Sequence, residues 1–141
     1  MEGSRTTGRW IRLLLHRLTL CSSLLRGLWF RLLLGTDHCG SGLRIGRAVR
    51  VRYGTRLRIG HGVTVGDNVI FWGSGQIVIG NGVSIGDNVM FFARDSISVG
   101  DDTLIAPFTY VIDSNHRTEA GTPIRYQAMV TRAVVIGKDV W

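Results

Sequence analysis

Proline and cysteine are scarce, with two of each in 141 residues. Nineteen glycines with so little proline exclude a proline-rich linker and point to many tight turns inside regular structure. Cys21 and Cys39 give neither a disulfide framework nor a metal-ligand spacing, and read as simple buried or half-buried thiols. Charged residues make up 19% and apolar residues 45%, the balance of a folded domain, and the length suits one domain with a real core. A charge-free apolar run is also missing. Residues 10–34 are very apolar but carry Arg12, Arg17, Arg26 and Arg31. Each arginine is costly at the centre of a bilayer, so the segment does not read as a membrane span. It also lacks the uninterrupted core and small-residue cleavage site of a signal peptide.

Acidic residues are few at the front of the chain. Residues 1–35 hold six Arg against one Glu, and residues 36–59 hold six Arg against Asp37. Residues 60–141 hold five basic and eight acidic groups, so the overall charge of +7 belongs to the first sixty residues. Such a front end suits an anionic lipid surface, an acidic partner or simple solubility. Nucleic acid is disfavoured, because the basic stretch has no interleaved aromatic platform.

Residues 1–38 read as a basic amphipathic helix. Trp10, Ile11, Leu14, Leu15, Leu18, Cys21, Leu25, Leu28, Trp29, Leu32 and Leu33 fall on one side of a helical wheel. Arg9, Arg12, His16, Arg17, Arg26 and Arg31 fall on the other half, with Leu13, Leu20, Leu24, Phe30 and Leu34 among them. Two expectations stand side by side. The helix lies in a membrane interface through residues 10–34, or it caps the next domain or packs on a sister subunit.

From residue 39 the sequence repeats every 20 residues, and blocks 59–78 and 79–98 share ten identities in twenty. Apolar columns follow. They are Cys39, Ile59, Ile79 and Val99; Leu43, Val63, Val83 and Thr103; Ile45, Val65, Ile85 and Ile105; Val49, Val69, Val89 and Thr109; Val51, Phe71, Phe91 and Val111; and Leu57, Ile77 and Ile97. A coil with one apolar side cannot fold alone, so the pattern predicts stacked short parallel strands, an all-β parallel β-helix over residues 39–141. Two residues per coil exceed three six-residue units, and they are expected at the corners near residues 73–76 and 93–96. Asp67, Asn68, Asp87, Asn88 and His61 read as turn residues.

The period then breaks. Ile136-Gly137 restarts it 37 residues after Val99-Gly100, so about 17 residues (37 less 20) leave the solenoid within 113–131. Long excursions from regular scaffolds commonly carry function. This one contains Asp113-Ser114-Asn115-His116 and Pro123-Ile124-Arg125-Tyr126-Gln127.

The (Ile/Val)-Gly-x-x-Val-x hexads, the loop around His116 and the run Ile136-Gly137-Lys138-Asp139-Val140-Trp141 together resemble the hexapeptide-repeat O-acetyltransferases. The similarity is to the maltose/galactoside acetyltransferase-like branch that includes exopolysaccharide and colanic-acid-type enzymes. The resemblance implies a left-handed β-helix, a homotrimer with clefts between subunits, acetyl-CoA or a related acyl-CoA as donor, and no metal. It implies a sugar or lipid-linked sugar acceptor. His116 matches the family's base, and Trp141 a tryptophan at the acceptor and thioester end of the cleft. Maltose-type members also use an asparagine one coil earlier, where this chain reads Phe92-Ala93-Arg94-Asp95, so that role is not carried over. Relatives continue with more coils past the position of Trp141.

The chemistry implied is acyl transfer from a thioester to a hydroxyl. A neutral imidazole takes the hydroxyl proton and returns it to the departing thiolate, and backbone N–H groups steady the oxyanion. Asp113 or Glu119 is expected to orient His116, Asp113 alternatively capping a turn. Asp113, Asn115, Arg125 and Trp141 are candidate substrate or CoA contacts, with Arg125 either holding a phosphate or carboxylate or anchoring the loop. A zinc enzyme of the γ-carbonic-anhydrase type is disfavoured, because only His61 and His116 lie within the coils. The competing non-enzymatic reading is a shortened β-helix serving as scaffold or assembly subunit. The expected location is the cytoplasm, with peripheral contact to the inner membrane face.

Overall fold

Columns of aliphatic residues 20 positions apart can all be buried only when successive coils stack in register. The computed structural model describes residues 3–52 and 54–141, and the side chains of 18–52 and 54–141. One helix, α1 (Gly3–Leu34), precedes the solenoid. The first coil has β1 (Arg44–Ile45), β2 (Arg50–Arg52) and β3 (Arg56–Ile59). The second has β4 (Thr64–Val65), β5 (Ile70–Gly73) and β6 (Gln76–Ile79), and the third β7 (Ser84–Ile85), β8 (Met90–Ala93) and β9 (Ser96–Val99). The fourth has β10 (Leu104–Ile105) and β11 (Tyr110–Ile112). A hairpin of β12 (Ser114–His116) and β13 (Met129–Thr131) follows, and β14 (Val134–Ile136) resumes the solenoid.

Three parallel four-stranded sheets result, β1-β4-β7-β10, β2-β5-β8-β11 and β3-β6-β9-β14. Partners lie 20 residues apart in every pair of the first two, as in Thr64 with Ser84 and Phe71 with Phe91. Only β14 departs, pairing Val134 with Ile97 and Ile136 with Val99 across the excursion. The chain is thus a parallel β-helix preceded by a helix, as the repeat predicts.

The inward columns form the core. Val63, Val83 and Thr103 are fully buried, and the Phe71 and Phe91 rings stack 5.4 Å apart. Thr103 is tolerated among aliphatics because its hydroxyl donates to the Gly137 carbonyl at 2.9 Å. The extra residues of each coil do form the corners after β5 and β8. Corner side chains build ladders up the stack. The Asp67 carboxylate accepts from the Arg47 N–H at 2.7 Å, and Asp87 accepts from the Asp67 N–H at 2.7 Å. His61 belongs to a second ladder as a turn residue, its N–H donating to Asn81 and its ring Nδ1 accepting from the Ser41 N–H at 3.1 Å. The glycine that opens each corner is required by close approach of the next coil. A Cβ on Gly80 would sit 2.8 Å from the Gly100 carbonyl carbon. Gly82 in the same corner meets the other demand, a left-handed φ of 66°.

The helix docks on the first coil through the side that carries arginine. The Arg26 Nε–H donates to the Ile45 and Gly46 carbonyls at 2.8 and 3.1 Å, and that of Arg31 to the Cys39 carbonyl at 3.1 Å. Gly27 is buried, and a Cβ there would overlap the Leu43 carbonyl. Phe30 and Leu34 pack against the core from the same side. A solenoid's first coil has no coil below it to bond its carbonyls, so guanidinium donors suit this end better than an apolar stripe does. The wheel positions at Arg9, Trp10, Ile11, Arg12, Leu13, Leu14, Leu15, His16 and Arg17 lie outside the described side chains.

Candidate functional site

The excursion is an antiparallel ribbon with an irregular tip. Ser114 pairs with Thr131, Asn115 with Val130 and His116 with Met129. Beyond the strands the Arg117 N–H donates to the Ala128 carbonyl at 3.1 Å. Pro123 leads into a short 3-10 turn, Ile124–Tyr126. Gln127 ties the arms together. Its amide oxygen accepts from the Glu119 N–H at 2.8 Å, and its nitrogen donates to the Glu119 and Thr122 carbonyls at 2.9 and 2.6 Å. The hairpin closes where it opened, with the Arg132 N–H donating to the Asp113 carbonyl at 2.8 Å. The coil therefore resumes at β14 as though the insertion were absent.

Asp113 roots the hairpin. It is 4% exposed, and its carboxylate accepts from the Arg94 N–H at 2.8 and 3.0 Å and from the Asp95 N–H at 2.7 Å. Within the chain, then, Asp113 grips the corner of the coil below and does not orient the His116 ring. Among the described residues the Glu119 carboxylate pairs with Arg117 at 3.4 Å and makes no hydrogen bond to the His116 ring. The register carried a signal for this. Position 113 stands 20 and 40 residues beyond Ala93 and Gly73, which are both buried in an inward column.

His116 is exposed on β12. Its N–H donates to the Asn115 Oδ1 at 2.9 Å, which turns the Asn115 amide back along the strand. Between Asp113 and Asn115, Ser114 is 8% exposed, and its hydroxyl is buried with no hydrogen-bond partner among the described residues. Such a group is rare in a folded protein and sits here two residues from the candidate base. Arg125 lies in the 3-10 turn, its guanidinium over the Tyr126 ring at 4.8 Å and, among the described residues, in no ion pair. Trp141 is 94% exposed and stands apart from this group, across β14 and the following corner. A single chain thus assembles Asp113, Asn115, His116 and Arg125 on one hairpin, with Trp141 at the start of the next face.

The hairpin springs from the end of β11, whose sheet differs from the others on its outward side. Ile70, Trp72, Met90, Phe92, Tyr110 and Ile112 point outward there, with Tyr110 and Ile112 at 54% and 40% exposure. The Trp72 and Phe92 rings meet edge to face at 4.8 Å, and Arg94 lies 5.9 Å from the Phe92 ring centre. On β6 and β9 the matching outward residues are Gln76, Val78, Ser96 and Ser98, and on β4 and β7 they are Thr64 and Ser84. The inward columns carry no trace of this face, although its outward positions are readable from the same alternation. Among the described residues no group of three His, Cys, Asp or Glu is placed to hold a metal ion. Compared with protein-family models, curated proteins and solved structures, the chain finds no significant match in any of the three.

Proposed function

We propose that this chain is an O-acyltransferase that moves an acetyl or similar acyl group from acyl-CoA to a hydroxyl of a sugar or polysaccharide precursor. One observation carries the reading: a regular solenoid is interrupted once, by a braced hairpin that presents an exposed histidine beside an outward apolar sheet face. The hexad and loop resemblance supplies the chemistry. His116 takes the proton of the acceptor hydroxyl as its oxygen attacks the thioester carbonyl. The tetrahedral intermediate expels the CoA thiolate, which receives that proton, leaving an ester and free thiol. The apolar face supports a homotrimer of left-handed prisms in which β5, β8 and β11 meet a neighbouring copy. In that assembly Trp141 of one copy and His116 of another line a shared cleft, and Arg125 offers charge to the donor's phosphates.

The test is free-thiol release from acetyl-CoA in the presence of sugar and lipid-linked sugar acceptors. Acceptor-dependent release is expected, falling about 10²–10⁴-fold in His116→Ala with the assembly intact, the range for loss of a general base. Unchanged turnover in that variant would falsify the mechanism. No release from a folded assembly would instead favour a scaffold role.

A further inference from the structure

Because Arg26 and Arg31 turn toward the first coil, the apolar side of α1 is left outward over its described side chains, residues 18–34. Leu25, Leu28, Trp29 and Leu32 are 67%, 54%, 64% and 62% exposed. With Leu18 and the exposed Cys21 they recur at steps of three and four residues, which makes one continuous stripe. No described helix is long and apolar enough to cross a membrane. The stripe is framed by basic groups of the first coil. Arg50 and Arg52 share a groove of about 610 Å³ with Trp29, and Arg44 lines another of about 450 Å³ with Leu20, where the Arg47 guanidinium is held by Asp67. Twelve arginines against Glu2 and Asp37 occupy residues 1–59, whereas residues 60–141 carry five basic and eight acidic groups. The molecule is therefore polar along its axis, with its basic, apolar end at the helix.

We propose that α1 and the first-coil arginines form a surface that lies flat on an anionic lipid bilayer. The leucines and Trp29 enter the boundary between headgroups and acyl chains, and the arginines engage lipid phosphates. A second copy is the poorer occupant, since pairing two such ends would bring two arginine collars together. The acidic far end is repelled from the same surface, which fixes the orientation. This holds independently of the acyltransfer reading.

The experiment is co-sedimentation of the full chain with phosphatidylcholine vesicles, with and without about 30% phosphatidylglycerol. Binding is expected only with the anionic lipid and should weaken about tenfold or more as salt is raised to about 0.5 M. Leu28→Glu/Leu32→Glu and Arg44→Gln/Arg50→Gln should each lower it about tenfold, with thermal unfolding confirming that both variants fold. Three results overturn the proposal: no binding to anionic vesicles, equal binding to neutral ones, or a leucine variant that still binds. In the last case a smaller assembly by sedimentation velocity would assign the stripe to contacts between copies.

Discussion

At the residue scale, carboxylates at corners do most of the positioning. Asp113 is the extreme case, a buried carboxylate whose acceptors are taken by two main-chain donors of the coil below. Removing it leaves the Arg94 and Asp95 N–H groups without that partner. Asp113→Ala should therefore cost about 2–4 kcal/mol in urea denaturation and open the hairpin to protease, with Asn restoring part of the loss. Asp67 shows the exposed version. The main-chain N–H of Arg47, and then its guanidinium, hold the Asp67 carboxyl below the usual carboxylate range. A folded-state pKa below the unfolded one gives stability that is present above the ordinary range and is lost as pH falls through the folded value. Asp67→Asn should thus be less stable near neutrality, with the deficit shrinking on acidification, read as melting temperature from about pH 6 to pH 3.

Among the elements, α1 and the hairpin close the solenoid's two irregular places by different means. The helix satisfies main-chain carbonyls at the first coil with guanidinium donors, whereas the hairpin satisfies itself through Gln127 and its own ladder. Arg26→Met keeps the length of the side chain but leaves the Ile45 and Gly46 carbonyls without its donor. A destabilisation of about 1–3 kcal/mol is expected, together with faster amide exchange in β1 and little change in β8. Equal exchange in both strands would mean that the helix is only loosely attached.

For the whole molecule, the three outward faces are unequal, and the proposed assembly and the proposed activity both rest on the β5-β8-β11 face. If β5, β8 and β11 meet a second copy, a charge at the centre of that face must break the assembly. Phe92→Glu is expected to shift sedimentation velocity to the single chain and to abolish thiol release with it, while the solenoid keeps its circular dichroism. A variant that stays assembled and active would move the interface to another face.

The sequence by itself determined the coil. A 20-residue period states which residues stack on which, because identical neighbours in a solenoid are related by one repeated translation. It also located the excursion and its histidine, since a break in a period is as visible as the period. Only the tertiary structure decided how the non-repeating parts attach. Whether the arginine or the leucine side of α1 meets the first coil depends on which main-chain groups that coil leaves unpaired. Whether Asp113 faces His116 or the Arg94–Asp95 corner depends on a contact between coils. Those are choices between competing partners in space; the 20-residue register puts Asp113 in the inward column of Gly73 and Ala93 but does not name the groups its carboxylate meets there.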